Sequence, residues 1–209
     1  MNSLPIILAS GSPRRKELLE QMGITFQVKT STIEEIITKT KPEEVVIELS
    51  YQKAMDVATR YKEDSCIVIG ADTIVWDGNQ ILGKPKDEVD AFSMIKQLQG
   101  KSHSVYTGVT IIKKLKNNIT TTSFYEKTNV IMYSMSEQEI TDYIHTKEMS
   151  NNCNKVIYQW EDKAGGYGIQ TSFGTKFIRG IEGDYYNVVG LPVSALYQKL
   201  KEISNITLQ

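Results

Sequence analysis

An aspartate sits inside the most apolar run of the chain. The run Cys66 to Val75 reads Cys-Ile-Val-Ile-Gly-Ala-Asp-Thr-Ile-Val, with Asp72 in its interior. A bare carboxylate in a core strand is costly, so Asp72 must be paired with a cation, bound to a metal or used in a reaction. The plain structural alternative is a bond to a nearby lysine. A second group of interest is Ser10-Gly11-Ser12-Pro13-Arg14-Arg15, a small-residue turn leading into a helix. Such a turn presents backbone N–H groups and the positive end of the helix dipole. Arginines in a first turn oppose that dipole, and an anion bound there accounts for Arg14 and Arg15 together. Without an anion they are two solvated side chains on a capped helix.

Other segments are weaker alone. Glu34-Glu35 reads by itself as a solvated surface pair, and Lys53 as a lysine snorkelling from a helix. Lys84 is held between Gly83 and Pro85, so a rigid loop sets where its ammonium points. Asp162-Lys163-Ala164-Gly165-Gly166-Tyr167-Gly168-Ile169-Gln170 places three glycines around a tyrosine and ends on a glutamine. The glycines allow close backbone approach to a flat ligand, and the carboxamide of Gln170 offers both a donor and an acceptor to a base edge. A glycine-rich turn with a surface glutamine is the simpler alternative. There is no Walker motif, and the glycine run is not a dinucleotide fingerprint. Cations for phosphates, carboxylates for a divalent metal and a glycine patch for a base are together what nucleotide hydrolysis requires.

The elements that must position these residues read as one continuous α/β domain over residues 1–209. Leu4 to Ala9 is a short buried strand. A helix follows in which Ser12 can N-cap, Pro13 fits the first turn, Leu18, Leu19 and Met22 form one face, and Gly23 closes it. Phe26 and Val28 suggest a second strand. Glu43 to Tyr61 has the apolar stripe of a helix. Cys66 to Val75 is the central strand, and Asp77-Gly78 marks a hairpin turn. A helix from about Asp87 to Leu98 shows Val89, Phe92, Ile95 and Leu98 at helical spacing. Ser104 to Lys113 and Thr122 to Met132 read as strands joined at Asn117-Asn118. Ser136 to Glu139 is a capping box that opens a helix through Ile140 and Ile144. The last helix turns Val193, Leu196, Leu200 and Ile203 inward. Thr146 to Glu161 has no clear period and receives no structure.

Composition narrows the function. The 209 residues carry 24 lysines and arginines against 25 aspartates and glutamates, a net charge of -1. That balance argues against a nucleic-acid polymer as partner, because such binding needs a basic surplus. A chain of this length buries about 70% of its unfolded surface and needs no staple. Only two cysteines, Cys66 and Cys153, and two histidines, His103 and His145, are present. No zinc knuckle or His-rich metal site can be built from them. A divalent cation would be held by oxygen ligands, which suit Mg²⁺ and Mn²⁺ alike. The first residues lack the basic and apolar regions of a signal peptide, and no run reaches a membrane span, so a soluble cytoplasmic protein is expected.

The ordered blocks resemble a known family, the Maf-like nucleoside triphosphate pyrophosphatases, relatives of the inosine triphosphatase fold. They are Leu8 to Arg15 with Leu18-Leu19, Lys53-Ala54, Gly70 to Thr73, Leu82 to Pro85, Thr107 to Val109, Asp162 to Gln170, Ile181 to Asp184 and Asn187 to Pro192. The resemblance implies an elongated mixed sheet flanked by helices, two lobes with a central cleft, and cleavage of a nucleoside triphosphate to the monophosphate and pyrophosphate. It places the catalytic aspartate on Asp72 and a metal-side carboxylate on Glu35, with Glu34 replacing the usual aspartate of an Asp-Glu pair. Asp72 and Glu35 would hold Mg²⁺ or Mn²⁺. Lys53 and Lys84 join them as catalytic residues. Ser10, Ser12, Arg14, Arg15, Thr73 and Gln170 are assigned to substrate. The Tyr-Gly-Ile-Gln ending matches the subgroup acting on dTTP and UTP, with CTP and modified pyrimidine nucleotides as further substrates. A subgroup acting on 7-methyl-GTP lacks that ending. Outside enzymes, a nucleotide sensor in division control would not need both carboxylates. Asp184 and Asn187 are expected to support the site without reacting. The resemblance also implies a homodimer. Residues 151–160 depart from the family pattern in being extended.

Overall fold

The computed structural model describes residues 4–62, 64–150 and 155–204. Strands β1 (Ile6–Leu8), β2 (Gln27–Val28), β3 (Ser65–Trp76), β4 (Ile81–Leu82), β5 (Ser102–Leu115), β6 (Asn118–Met132) and β9 (Ile178–Glu182) form one mixed sheet flanked by helices, in the order β2-β1-β3-β5-β6-β9 with β4 paired to β3. The chain divides into two compact units.

The first unit holds the described residues up to Asp72, Thr107–Glu126 and those from Gly190 on. Strand β1 (Ile6–Leu8) lies parallel to both β2 (Gln27–Val28) and β3 (Ser65–Trp76), with Ile7 opposite Gln27 on one side and Val68 on the other. Parallel neighbours need crossovers. Helix α1 (Pro13–Gln21) supplies one and α2 (Pro42–Arg60) the other. Buried on both faces, β3 is the near-continuous apolar run that marks it in the sequence. Its core contacts gather Ile7, Ala9, Ala54, Ala58, Val68 and Ile112. Cys66 is buried in this core, while Cys153 lies outside the described residues.

Helix α2 approaches the sheet at two glycines. A Cβ on Gly70 of β3 would stand 2.4 Å from the Ser50 carbonyl oxygen and 2.8 Å from Ala54 Cβ. One on Gly108 of β5 (Ser102–Leu115) would stand 2.3 Å from the Val46 carbonyl oxygen. Only hydrogen fits at either place, so main chain meets main chain. Between them, the buried Ser50 hydroxyl bonds Thr110 Oγ1 at 2.9 Å, and Thr110 bonds Ser123 Oγ at 2.8 Å.

The second unit holds Thr73–Tyr106 and Lys127–Val189. Strand β3 turns back into β4 (Ile81–Leu82), with Val75 opposite Leu82. The expected turn at Asp77-Gly78 is there, with the Asp77 carboxylate accepting the N–H groups of Asn79 and Gln80 at 2.7 Å each. Helix α3 (Glu88–Leu98) is capped by the Asp87 carboxylate on the Asp90 N–H. Its buried face is Ala91, Ile95 and Leu98; Val89, expected to face inward, is 75% exposed. At 100° per residue Val89 stands about 120° round the helix from Ile95, off the stripe. Strand β6 (Asn118–Met132) pairs antiparallel with β9 (Ile178–Glu182). The turn joining β5 to β6 is shifted by a residue from the expected site, with Lys116 at φ 55. The capping box of Ser136 and Glu139 opens α4 (Glu137–Ile144) as read from the sequence.

Thr146 to Glu161, read as structureless, contains a hairpin. Strand β7 (Lys147–Ser150) pairs with β8 (Lys155–Tyr158), Lys147 facing Tyr158 and Met149 facing Val156. Met149 is 63% and Val156 53% exposed, so these strands have no buried face to impose a period. Among the described residues that follow are α5 (Ser172–Phe177), α6 (Tyr185–Val189) and, in the first unit, α7 (Val193–Ser204).

Candidate active site

In the first unit, Asp72 and Glu35 converge on one cation. The Lys53 ammonium lies 2.5 Å from Asp72 Oδ1 and 3.0 Å from Glu35 Oε1. The Lys53 and Asp72 side chains are 15% and 12% exposed, whereas Glu35 is 45% exposed. Each comes from a different element. Asp72 is carried by the apolar strand β3, Lys53 by α2, and Glu35 by the irregular segment between β2 and α2. The glycine contacts explain how α2 brings Lys53 so near the strand, since Ala54, its neighbour, packs on Gly70.

The loop from β1 into α1 folds around Ser10. Its Oγ accepts the Ser12 N–H at 3.2 Å and an Arg15 Nη1–H at 3.1 Å. Arg15 Nε also donates to the Gly190 carbonyl at 2.9 Å. The guanidinium is thereby anchored on both sides of its fork. Burial pulls its pKa below the ordinary arginine value, against the opposing charge of Asp72. Ser12 occupies the N-cap position but makes no side-chain capping bond. Arg14 is half-buried in the first turn of the same helix, and Glu34 is exposed.

Thr73, Lys84 and Gln170 belong to the second unit. Thr73 follows Asp72 on β3, and successive residues of a strand point to opposite faces. Lys84 is exposed on the loop before α3. That loop is tied to the glycine segment, where the Gly165 N–H donates to the Gly83 carbonyl at 2.9 Å. Gly165 sits at φ 68, a conformation that suits glycine. Gln170 is exposed.

Lys163 is 4% exposed and held by Glu148 at 2.6 Å and Asp162 at 2.8 Å. It is an internal ion-paired strut linking hairpin β7–β8 to the glycine segment. His103 is equally buried; its Nε2 meets the Tyr167 hydroxyl at 2.6 Å, while Nδ1 has no partner among the described residues. Burial lowers the His103 pKa to about 4. Asn187 donates to Thr128 Oγ1 at 2.9 Å and to the Val105 carbonyl at 3.1 Å. Thr128 in turn bonds the main chain of Asp184. Both residues thus brace the turn after β9.

Among the described residues no three histidine, cysteine, aspartate or glutamate side chains converge as a metal-binding cluster. Asp72 and Glu35 nevertheless already converge on a cationic group, the Lys53 ammonium. Two hard carboxylates with substrate phosphates are the usual holding of Mg²⁺, so the pair fits such an ion. No helix among the described residues is long and apolar enough to cross a membrane.

Comparison with known proteins places the chain among relatives over nearly its whole length. The family model described as Maf-like protein matches residues 5–203. A dTTP/UTP pyrophosphatase of Agathobacter rectalis is 51% identical over 210 residues, covering 95% of this chain and 97% of its own. One of Lachnoclostridium phytofermentans is 49% identical over 198 residues, covering 94% of each chain. Among solved structures, the Ham1 protein of Staphylococcus aureus aligns over 95% of this chain and 99% of its own. The TM-score is 0.49 and the identity 11%, too slight a likeness to argue from.

Proposed function

The chain belongs to the Maf-like protein family, and we propose that it hydrolyses dTTP and UTP to the nucleoside monophosphate and pyrophosphate. CTP and modified pyrimidine nucleotides are further substrates in this reading. One observation carries it. Two carboxylates and a lysine meet within 3.0 Å, beside a helix start bearing two arginines, in a chain about half identical to proteins named for that activity.

Asp72 accepts the proton of the attacking water, which adds to the α-phosphorus as the bond to the bridging oxygen breaks. Proton transfer of this kind contributes about 100- to 10,000-fold in rate. Glu35 and Asp72 would hold a Mg²⁺ or Mn²⁺ ion, whose charge, when it is bound, would offset that building on the phosphates. Lys53 keeps the two carboxylates from repelling each other and gives its charge to the triphosphate. Arg15 and Arg14 are arranged for phosphate oxygens, Arg15 pre-oriented by Ser10 and Gly190, with Ser12 beside them. Lys84 is assigned to phosphate, and Thr73 and Gln170 to the base. A homodimer, a cytoplasmic location and a nucleotide-pool-cleaning role belong to the same reading, the homodimer resting on the family resemblance alone.

Pyrophosphate release from a nucleotide panel tests it, with Mg²⁺ or Mn²⁺ present. The expected order places dTTP and UTP above purine nucleotides and 7-methyl-GTP. Tight binding without hydrolysis, or preference for 7-methyl-GTP, would reject it.

A further inference from the structure

Residues 29–41, between β2 and α2, form neither helix nor strand, so their backbone groups need partners from elsewhere. Burial does not hold this segment, because Ile36 and Ile37 are 63% and 57% exposed. Helix α2 holds it from one face instead. Glu48, Gln52 and Asp56 recur at one-turn intervals and take two bonds apiece. Glu48 accepts the Thr38 N–H at 2.8 Å and its hydroxyl at 2.5 Å. Gln52 closes on Ile36 from both sides, its Oε1 accepting the N–H at 3.0 Å and its Nε2 donating to the carbonyl at 2.6 Å. Asp56 Oδ2 accepts the Ser31 hydroxyl at 2.8 Å and the Thr32 N–H at 3.1 Å.

The spacing of these anchors has a consequence for Glu35. One helical turn advances about 5–6 Å, and two extended residues cover about 6–7 Å, so Thr38 and Ile36 match successive turns. From Ile36 back to Thr32 the chain takes four residue steps, enough for about 13 Å, against the same single turn. The surplus is taken up by a bow that includes a bend at Ile33. Glu35 sits at the end of that bow, one residue from the Gln52 clamp, with its carboxylate 3.0 Å from Lys53.

We propose that Gln52 is a positioning residue for Glu35: by closing on Ile36 it stops the bow from relaxing and keeps the Glu35 carboxylate at the Lys53–Asp72 centre. The proposal rests on Glu35 serving as a metal-holding carboxylate. The clamp uses no group of the reacting centre itself and acts only through the main chain. Without it Glu35 keeps its charge but loses its address.

The test uses Gln52→Met, which keeps side-chain length and removes both bonds, together with Glu35→Gln and the double variant. Supporting groups behind metal ligands typically change metal affinity or activity by about 10- to 100-fold. Gln52→Met is therefore expected to raise the Mg²⁺ concentration for half-maximal UTP hydrolysis by about that factor, with the KM for UTP at saturating metal little changed. Hydrogen exchange at the Ile36 amide, read without substrate, is expected to speed up. The double variant is expected to match Glu35→Gln alone, since Gln52 acts through Glu35. An unchanged Mg²⁺ dependence in Gln52→Met while Glu35→Gln shifts it, or additive losses in the double variant, would overturn the proposal. If Glu35→Gln itself leaves the Mg²⁺ dependence untouched, the proposal falls through the assignment of Glu35, and Ile36 exchange still shows whether the clamp exists.

Discussion

Lys53 and Asp72 form a contact of 2.5 Å in which both side chains are nearly withdrawn from water. This resolves what an aspartate is doing in a core strand. The lysine compensates its charge, and Glu35 joins the same ammonium from the more exposed side. The centre therefore combines the structural and the reactive alternatives: the carboxylate is paired, and it is paired at a candidate catalytic position.

Asp72→Asn keeps the shape of the side chain and removes its basicity. Turnover of UTP is expected to fall about 100- to 10,000-fold, the usual contribution of a general base. The circular dichroism spectrum should remain that of the parent. Near-parental turnover in a folded variant removes Asp72 from the chemistry.

Gly108→Ala puts a Cβ 2.3 Å from the Val46 carbonyl oxygen, where only backbone is available to yield. The strain is expected to cost about 1–3 kcal/mol in denaturant unfolding, as overpacking does. Because α2 carries Lys53, kcat should fall as well. A variant of lowered stability but full kcat would show that the helix position is not coupled to the site.

His103 has an ordinary value of 6.5 and a folded value of about 4 because burial disfavours its charged form. The unfolded chain thus binds the proton more readily. His103 favours the fold fully above about pH 6.5, and that contribution is lost as pH falls toward 4. A shift of this size corresponds to on the order of 3 kcal/mol. Urea unfolding of the parent and His103→Gln across this range should show a shallower pH dependence for the variant. Parallel curves would contradict it.

Lys163 is expected to be less replaceable than either of its partners. Lys163→Ala leaves Glu148 and Asp162 close together without a cation and should cost about 3–5 kcal/mol. Glu148→Gln leaves the lysine bonded to Asp162 at 2.8 Å and should cost distinctly less. Thermal unfolding ranks the two, and an equal loss would mean that the hairpin contact, not the buried charge, dominates.

Part of this molecule was readable before folding. The Asp72 run, the Ser10 to Arg15 turn and the Ser136 capping box each declare themselves over a few neighbouring residues, because their cause is local: burial, a helix start, a cap. The pairing of Glu35 with Lys53 has no such local cause. It depends on a segment without period, held by side chains of a later helix, and on two glycines far apart in sequence that let α2 close on the sheet. Hairpin β7–β8 escaped for a related reason. Two four-residue strands with exposed apolar side chains write no burial pattern. Val89 misled in the opposite sense, by offering helical spacing at a position that faces water.

The glycine seats of α2 also bear on how freely this protein can vary. Where helix and sheet meet through side chains, each core substitution moves the helix a little and carries its cargo along. Here the separation is set by main chain against main chain at Gly70 and Gly108. Trimming an apolar side chain elsewhere along α2 leaves both of these backbone seats in place. The approach of Lys53 to Asp72 is thereby made most sensitive at two positions where only a hydrogen atom fits.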